Sequence, residues 1–182
     1  LAQSIGGGGG FLGDPTQSNW QRSNTSQSGL GTQGSIDAKR SNGNGADVTV
    51  SVPAGTSIVT TGRNAHGVFA QSVGGGGGVV SLASSSLVGS NANYKASAEV
   101  PNYDGAGGTV TVNVGGTVAA TGSGAYGIFA QSSGVSGDKN GVVAVKVTGA
   151  VYGNAAGIAA ANLGHGSTIA VGSGATLAGG CT

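Results

Sequence analysis

The sequence predicts an all-β fold, a right-handed parallel β-helix (β-solenoid) of about 20 to 25 residues per coil. Three observations predict it. Valines alternate with small or polar residues in several short runs, which is the period of a strand and not of a helix. A pattern of three short apolar runs then returns several times along the chain. Glycine supplies 40 of the 182 residues but does not keep the every-third spacing of collagen, so the excess belongs to turns.

Three copies of the pattern are recognisable, at residues 48–72, 110–132 and 143–162, with a partial copy at 167–180. Each opens with a valine run: Val48, Val50 and Val52; then Val110, Val112 and Val114; then Val143, Val145 and Val147. The alternate positions carry Thr49, Ser51, Thr111, Asn113, Ala144 and Lys146. A lysine must reach water, so the valines form the buried face. After a glycine-bearing turn comes a second apolar run, then a turn in which Asn64, Gly124 and Asn154 share one repeat position. Asn and Gly tolerate a left-handed backbone best, so all three are expected to adopt it. The third run places Val68, Ile128 and Ile158, with Ala70, Ala130 and Ala160, toward the interior. Phe69, Phe129 and Ala159, and Gln71, Gln131 and Ala161, then face outward. "LAQS" at the start is read as the tail of a preceding copy, and the chain as one β-solenoid segment, 1–182, of something longer.

Two long glycine runs, Gly6 to Gly10 and Gly74 to Gly78, follow the copies with large outer residues. A repeated linker has no reason to keep company with an ordered strand. The runs are therefore expected to lay backbone against the outer Phe/Gln face and cover it. No single copy could bury its own valine row; stacking makes the rows continuous.

Composition excludes several functions. Charged residues are 7% of the chain against about 25% in an ordinary domain, and seven basic residues balance six acidic ones to +1. That balance argues against nucleic acid as a partner. A single cysteine, Cys181, excludes an internal disulfide framework. "GSGAYG" at 122–127 matches a dinucleotide fingerprint in letters, yet it leads into a strand where the fingerprint needs a helix, so it reads as a turn. No cofactor or metal site is expected. His66 and His165 lie at unrelated repeat positions and are read as surface histidines; Trp20 sits in a polar stretch without a decided role. The one catalytic alternative uses Asp47, Asp104 and Asp138, which with Asp37, Lys39, Arg40, Lys95 and Lys139 occupy the segments leading into first strands. Stacking could align such carboxylates along one corner for acid–base work on a polysaccharide. Solvated loop charges are the plainer reading.

The recurring phrase, Ala2 to Gly10, Gly67 to Gly78 and Gly127 to Ser132 followed by a decayed "SG", together with the valine strands before it, resembles passenger domains of monomeric bacterial autotransporters. The similar members are long and glycine-rich, with G-[IV]-F-A-Q-S-x-GGGGG repeats. Trimeric adhesin heads share the small-residue rhythm of "GHGSTIAVGSGATLAGG" but have a shorter repeat. The resemblance implies export across a Gram-negative outer membrane to the cell surface and a non-enzymatic role in adhesion, aggregation or biofilm. It also implies host or bacterial surface glycans or proteins, or self-association, as partners. Membrane attachment is implied only through a C-terminal translocator barrel outside these residues.

Overall fold

The computed structural model describes residues 1–6, 9–12, 43–74, 77–81, 86–89, 105–134, 139–162 and 165–180. Among the described residues there is no α-helix, and the regular structure is all β. Strands β1 (Ala2–Ile5) and β2 (Gly9–Leu12) open the chain. The first full copy supplies β3 (Val48–Val52), β4 (Ser57–Thr60) and β5 (Val68–Val73), and is followed by β6 (Gly77–Ser81) and β7 (Ser86–Gly89). The second supplies β8 (Val110–Val114), β9 (Thr117–Ala120) and β10 (Tyr126–Ser133). The third supplies β11 (Val143–Val147), β12 (Ala150–Gly153) and β13 (Ala156–Asn162), and the partial copy β14 (Ser167–Val171) and β15 (Thr176–Gly179).

These strands form three parallel sheets of four strands each: β3-β8-β11-β14, β4-β9-β12-β15 and β1-β5-β10-β13. Each sheet takes one strand from each successive copy, so equivalent residues lie side by side. Val48 pairs with Val110 and Val110 with Val143; Ala2 pairs with Ala70, Ala70 with Ala130, and Ala130 with Ala160. The inward faces of the three sheets share one core. Val110, Val112, Val114, Val118, Ile128, Ala130, Val143, Val145, Val147 and Val151 are all buried in it, and Val50, Ile58 and Ile158 pack against it part-buried. Lys146 stands exposed on the opposite face, as the alternation requires.

The turn between the first two strands differs between inner and outer copies. In the inner copies it is Gly115–Gly116 and Thr148–Gly149, and at the second position the stacked backbones leave no room for a side chain. A Cβ on Gly116 would strike the Thr56 carbonyl oxygen, and one on Gly149 the Gly116 carbonyl oxygen. The first and last copies use longer turns, Pro53 to Thr56 and Gly172 to Ala175, each with a left-handed glycine, Gly55 at φ 80° and Gly174 at φ 82°. At the second turn Asn64 (φ 54°) and Gly124 (φ 74°) take the left-handed conformation expected of them, and Asn154 does not. The reason is length. The second copy runs from Ala120 to Tyr126 across this turn, whereas the third runs only from Gly153 to Ala156. The shorter link has no place for the left-handed residue, and Asn154 instead donates its N–H to the Ala120 carbonyl at 2.8 Å.

The longest links leave from one corner, between the third strand of one copy and the first of the next: residues 6–47, 74–109 and 134–142. The returning chain crosses close over the start of each excursion. A Cβ on Gly6 would strike the Asn44 backbone, one on Gly74 the Ala106 backbone, and one on Gly134 the Asn140 side-chain oxygen as well as the Gly105 carbonyl of the preceding return. The glycine runs continue as strand. Gly9 pairs with Gly77 and Gly10 with Gly78, in parallel, and β6 pairs antiparallel with β7. These glycines are not a linker; Gly75 and Gly76, at the centre of the second run, lie outside the described residues.

Val112→Asp would place a carboxylate in the fully buried valine row and should cost several kcal/mol, whereas Asn113→Asp on the neighbouring face should stay within about 0.5 kcal/mol of wild type. Thermal melts compare the two; superimposable curves would refute this register. Gly74→Ala should also destabilise, because its methyl meets backbone and no flexible side chain can yield.

Candidate functional site

The outward positions of the third sheet carry the largest grouping of chemically distinctive side chains. Phe69 lies beside Phe129 with ring centroids 5.0 Å apart and planes 14° from parallel. His66 stacks on Tyr126 at 5.1 Å, and its ring lies 5.9 Å from Phe129 and 6.1 Å from Phe69. The two phenylalanines are each 8% exposed and form a cluster separate from the valine core, with Tyr126 and Ala159 packed against it. Two residues further along the strand, Gln3 donates Nε2–H to Gln71 Oε1 at 2.6 Å, and Gln71 donates to Gln131 Oε1 at 2.7 Å. The amide column ends where the third copy has Ala161. Gln71 is fully buried. Phe69, Phe129, Gln71 and Gln131 are thus buried on the side of the sheet away from the valine core; the centre of the glycine run expected to cover them, Gly75 and Gly76, lies outside the described residues.

His66 is not the surface histidine its sequence position suggested. It is half-buried in the aromatic stack, and its Nδ1 accepts the Tyr126 backbone N–H at 3.0 Å. Burial pushes the imidazole below its ordinary pKa of 6.5. A neutral ring with an unprotonated Nδ1 is what that hydrogen bond needs.

Behind the amide column a row of hydroxyls fastens the returning chain to the third sheet. Ser4 Oγ accepts the Ala46 N–H, and Ser72 donates its hydroxyl to the Ala46 carbonyl, both at 2.8 Å. Ser72 Oγ also accepts the Gly108 N–H at 2.8 Å, and Ser132 donates to the Gly108 carbonyl at 2.8 Å. Asn162 takes the same place in the third copy, donating Nδ2–H to the Gly141 carbonyl at 2.8 Å. Ser4 and Ser72 thereby join their own copy to the segment leading into the next, while Ser72, Ser132 and Asn162 hold the segment leading into their own.

The catalytic alternative meets this same region. Asp47 is exposed at the start of β3, and its Oδ1 accepts the Thr109 backbone N–H at 2.7 Å, tying the approach to β8 onto the approach to β3. Asp104 and Asp138 lie outside the described residues, as do Asp37, Lys39, Arg40, Lys95, Trp20 and Cys181. Lys139 and His165 are exposed. Among the described residues no group of three or more His, Cys, Asp or Glu side chains is placed to hold a metal ion.

A second feature is a shallow notch of about 280 Å³ lined by Ala120, Thr121, Tyr152, Asn154 and Ala178, where the third copy's turn is short. Tyr152 stands on the outer face of its sheet between Ala119 and Ala178.

Searches of protein-family models, of curated proteins and of solved structures find no match to this chain. Its chemistry is therefore read from its own residues. They assemble stacked rings, an amide column and a hydroxyl clamp, all of which hold copies together.

Sequence reasoning missed the clamp. Its signal was the repeated Ser4, Ser72 and Ser132 on the inward alternation, where a hydroxyl in an apolar row needs a backbone partner.

Two outcomes follow from this geometry. Gln71→Leu removes the acceptor of Gln3 Nε2 and the donor to Gln131 Oε1 together and should cost about 1–3 kcal/mol, more than Gln3→Leu at the end of the column. Equal losses in melting temperature would break the column reading. For His66, the folded pKa lies below the unfolded one, so its contribution to stability is present above pH 6.5 and lost as pH falls through the folded value. His66→Phe should remove that part of the pH dependence, read from melts taken on both sides of pH 6.5.

Proposed function

We propose that this chain is a structural and adhesive segment of an exported bacterial surface protein, a passenger of the autotransporter type. In this reading its three sheets wrap as a right-handed parallel β-helix that acts as a rigid, non-enzymatic stalk or binding surface at the Gram-negative cell surface. One observation supports it above the others: successive copies stack in register, residue over residue, in all three parallel sheets. Such a stack can lengthen without changing its cross-section, which suits a stalk. The low charge and the covered aromatic column suit a body built for cohesion between copies. Its partners are surface glycans or proteins, or further copies of itself.

The test is display. The chain is joined behind a secretory signal and ahead of a translocator barrel in a non-adherent Gram-negative host. Labelled antibody should reach it on intact cells, and those cells should aggregate or adhere more than cells displaying Val112→Asp. Surface labelling without any gain in aggregation or adhesion would remove the adhesive role. Incubation with acidic and neutral polysaccharides should release no reducing ends or unsaturated products; turnover lost on replacing Asp47, Asp104 or Asp138 would establish the enzyme reading instead.

A further inference from the structure

Aromatic rings in the third sheet fall side by side in one column and bury each other, leaving Phe69 and Phe129 each 8% exposed. Tyr152 stands in a column of another kind. On the outward face of the β4-β9-β12-β15 sheet its neighbours are Ala119 and Ala178, so no ring lies beside it in the column and it stays 39% exposed. It lies within the flank of the stack, with β9 on one side and β15 on the other. Next to it the surface is notched. Thr121 to Ala125 make the turn between β9 and β10, whereas Asn154 and Ala155 alone make the turn between β12 and β13. The shorter turn leaves the notch of about 280 Å³ that Tyr152, Asn154 and Thr121 line.

The groups around the notch select a kind of ligand. None of the described residues lining it is charged, so an ionic ligand finds no counter-ion there. Pockets for drug-sized ligands hold about 300–1,000 Å³, and a slightly smaller, shallow notch suits a single ring. Its polar groups are not used up. Asn154 Oδ1 accepts the Gly124 N–H at 3.2 Å, which orients the amide and leaves the Nδ2 hydrogens to donate elsewhere. Thr121 Oγ1 makes only a long bond to the Thr60 carbonyl, at 3.3 Å, and keeps its lone pairs for a further donor. The Tyr152 ring adds a face with a negative quadrupole, which attracts polarised C–H groups. A pyranose matches all three features. One of its faces is a patch of C–H groups, and its rim carries hydroxyls that both donate and accept.

We propose that this notch is a saccharide site that takes one neutral hexopyranose ring of a glycan. The C–H face of the sugar lies on the Tyr152 ring, Asn154 Nδ2–H donates to one hydroxyl, and Thr121 Oγ1 accepts from another. Ala119 and Ala178 are part of the site because their small side chains keep the tyrosine open to a ligand. The proposal rests on the reading of surface glycans as partners and deepens it, by naming a neutral sugar and the residues that hold it. A shallow site for one ring binds weakly, with a dissociation constant of roughly 1 mM or above. Many molecules displayed on one surface multiply such a contact.

The test is a titration of the purified 182-residue chain, followed by nitrogen–proton correlation spectra. The probes are the methyl glycosides of glucose, galactose, N-acetylglucosamine and glucuronic acid. At least one neutral glycoside should give saturable shifts confined to Thr121, Tyr152, Asn154 and Ala178, including the Asn154 side-chain amide, and the glucuronide should bind no better. Tyr152→Ala should weaken that binding at least about tenfold, whereas Tyr152→Phe keeps the ring face and should weaken it much less. Ala119→Leu leaves Tyr152 in place but crowds its ring, and should also abolish the shifts. Both positions face outward, so the far-ultraviolet circular dichroism should stay that of wild type; if Tyr152→Ala loses its β-sheet spectrum, Ala119→Leu decides. No saturable shift with any neutral glycoside, shifts centred elsewhere, preference for the glucuronide, or binding untouched by these substitutions would overturn the proposal. Saturable binding by the isolated chain without adhesion on displaying cells sustains the site and removes the adhesive role. Adhesion without saturable binding overturns the site alone.

Discussion

Everything in this molecule depends on the parallel hydrogen bonding that seats each residue over its equivalent in the next copy. Neighbouring strands in such a ladder lie about 4.8 Å apart, so every position along a strand becomes a column running the length of the stack. A column tolerates only what can sit beside itself. Valine, alanine and glycine do so by shape. Glutamine does so because each amide is both donor and acceptor, which makes the contact from Gln3 to Gln71 repeatable at Gln131. Phenylalanine does so by stacking, and the 5.0 Å between Phe69 and Phe129 is close to the strand spacing itself. Like charges repel at that distance. The scarcity of charge follows, and Lys146 is accommodated between Asn113 and Ala170 rather than beside another cation.

The columns explain why some of the structure was legible in the sequence and some was not. Val110 to Val114 alternates with period two, and burial obeys that period directly, so the inward face could be read from letters alone. The inward Ala70, Ala130 and Ala160 were equally plain, because one small residue recurs at one place. Asn154 was misread because aligning the copies backward from the third strand hides the length of the turn before it. Left-handed geometry belongs to a turn of given length, not to an asparagine. His66 was misread for a related reason: its neighbours in the column, Tyr126 and Ala156, differ in chemistry, and only the ring geometry joins the first of them to it.

The hydroxyl clamp shows a limit of a different kind. Ser4, Ser72 and Ser132 recur in the sequence, but Ala46 lies 42 residues on from Ser4 and Gly108 lies 36 residues on from Ser72, each across a long excursion. No local pattern says where a chain returns after such an excursion. Asp47 was legible as a residue on the approach to a first strand and not as a carboxylate engaged by the Thr109 N–H, for the same reason. Repetition could identify the residues that bind copies together; it could not identify what they bind.

The placement of every long excursion at one corner has a consequence for how such a protein can vary. The chain leaves beside Gly6, Gly74 or Gly134 and returns beside Asn44, Ala106 or Asn140. Because departure and return are fastened within a few ångströms of each other, what lies between is a loop closed at its base. The entropy of closing a flexible loop rises only with the logarithm of its length, roughly 0.6 kcal/mol for each doubling. Sequence can be gained or lost on that flank at little thermodynamic cost, while the turns on the other two flanks, stacked over packed backbone, change by only a few residues from copy to copy. One side of the molecule has far more room to diversify than the other two.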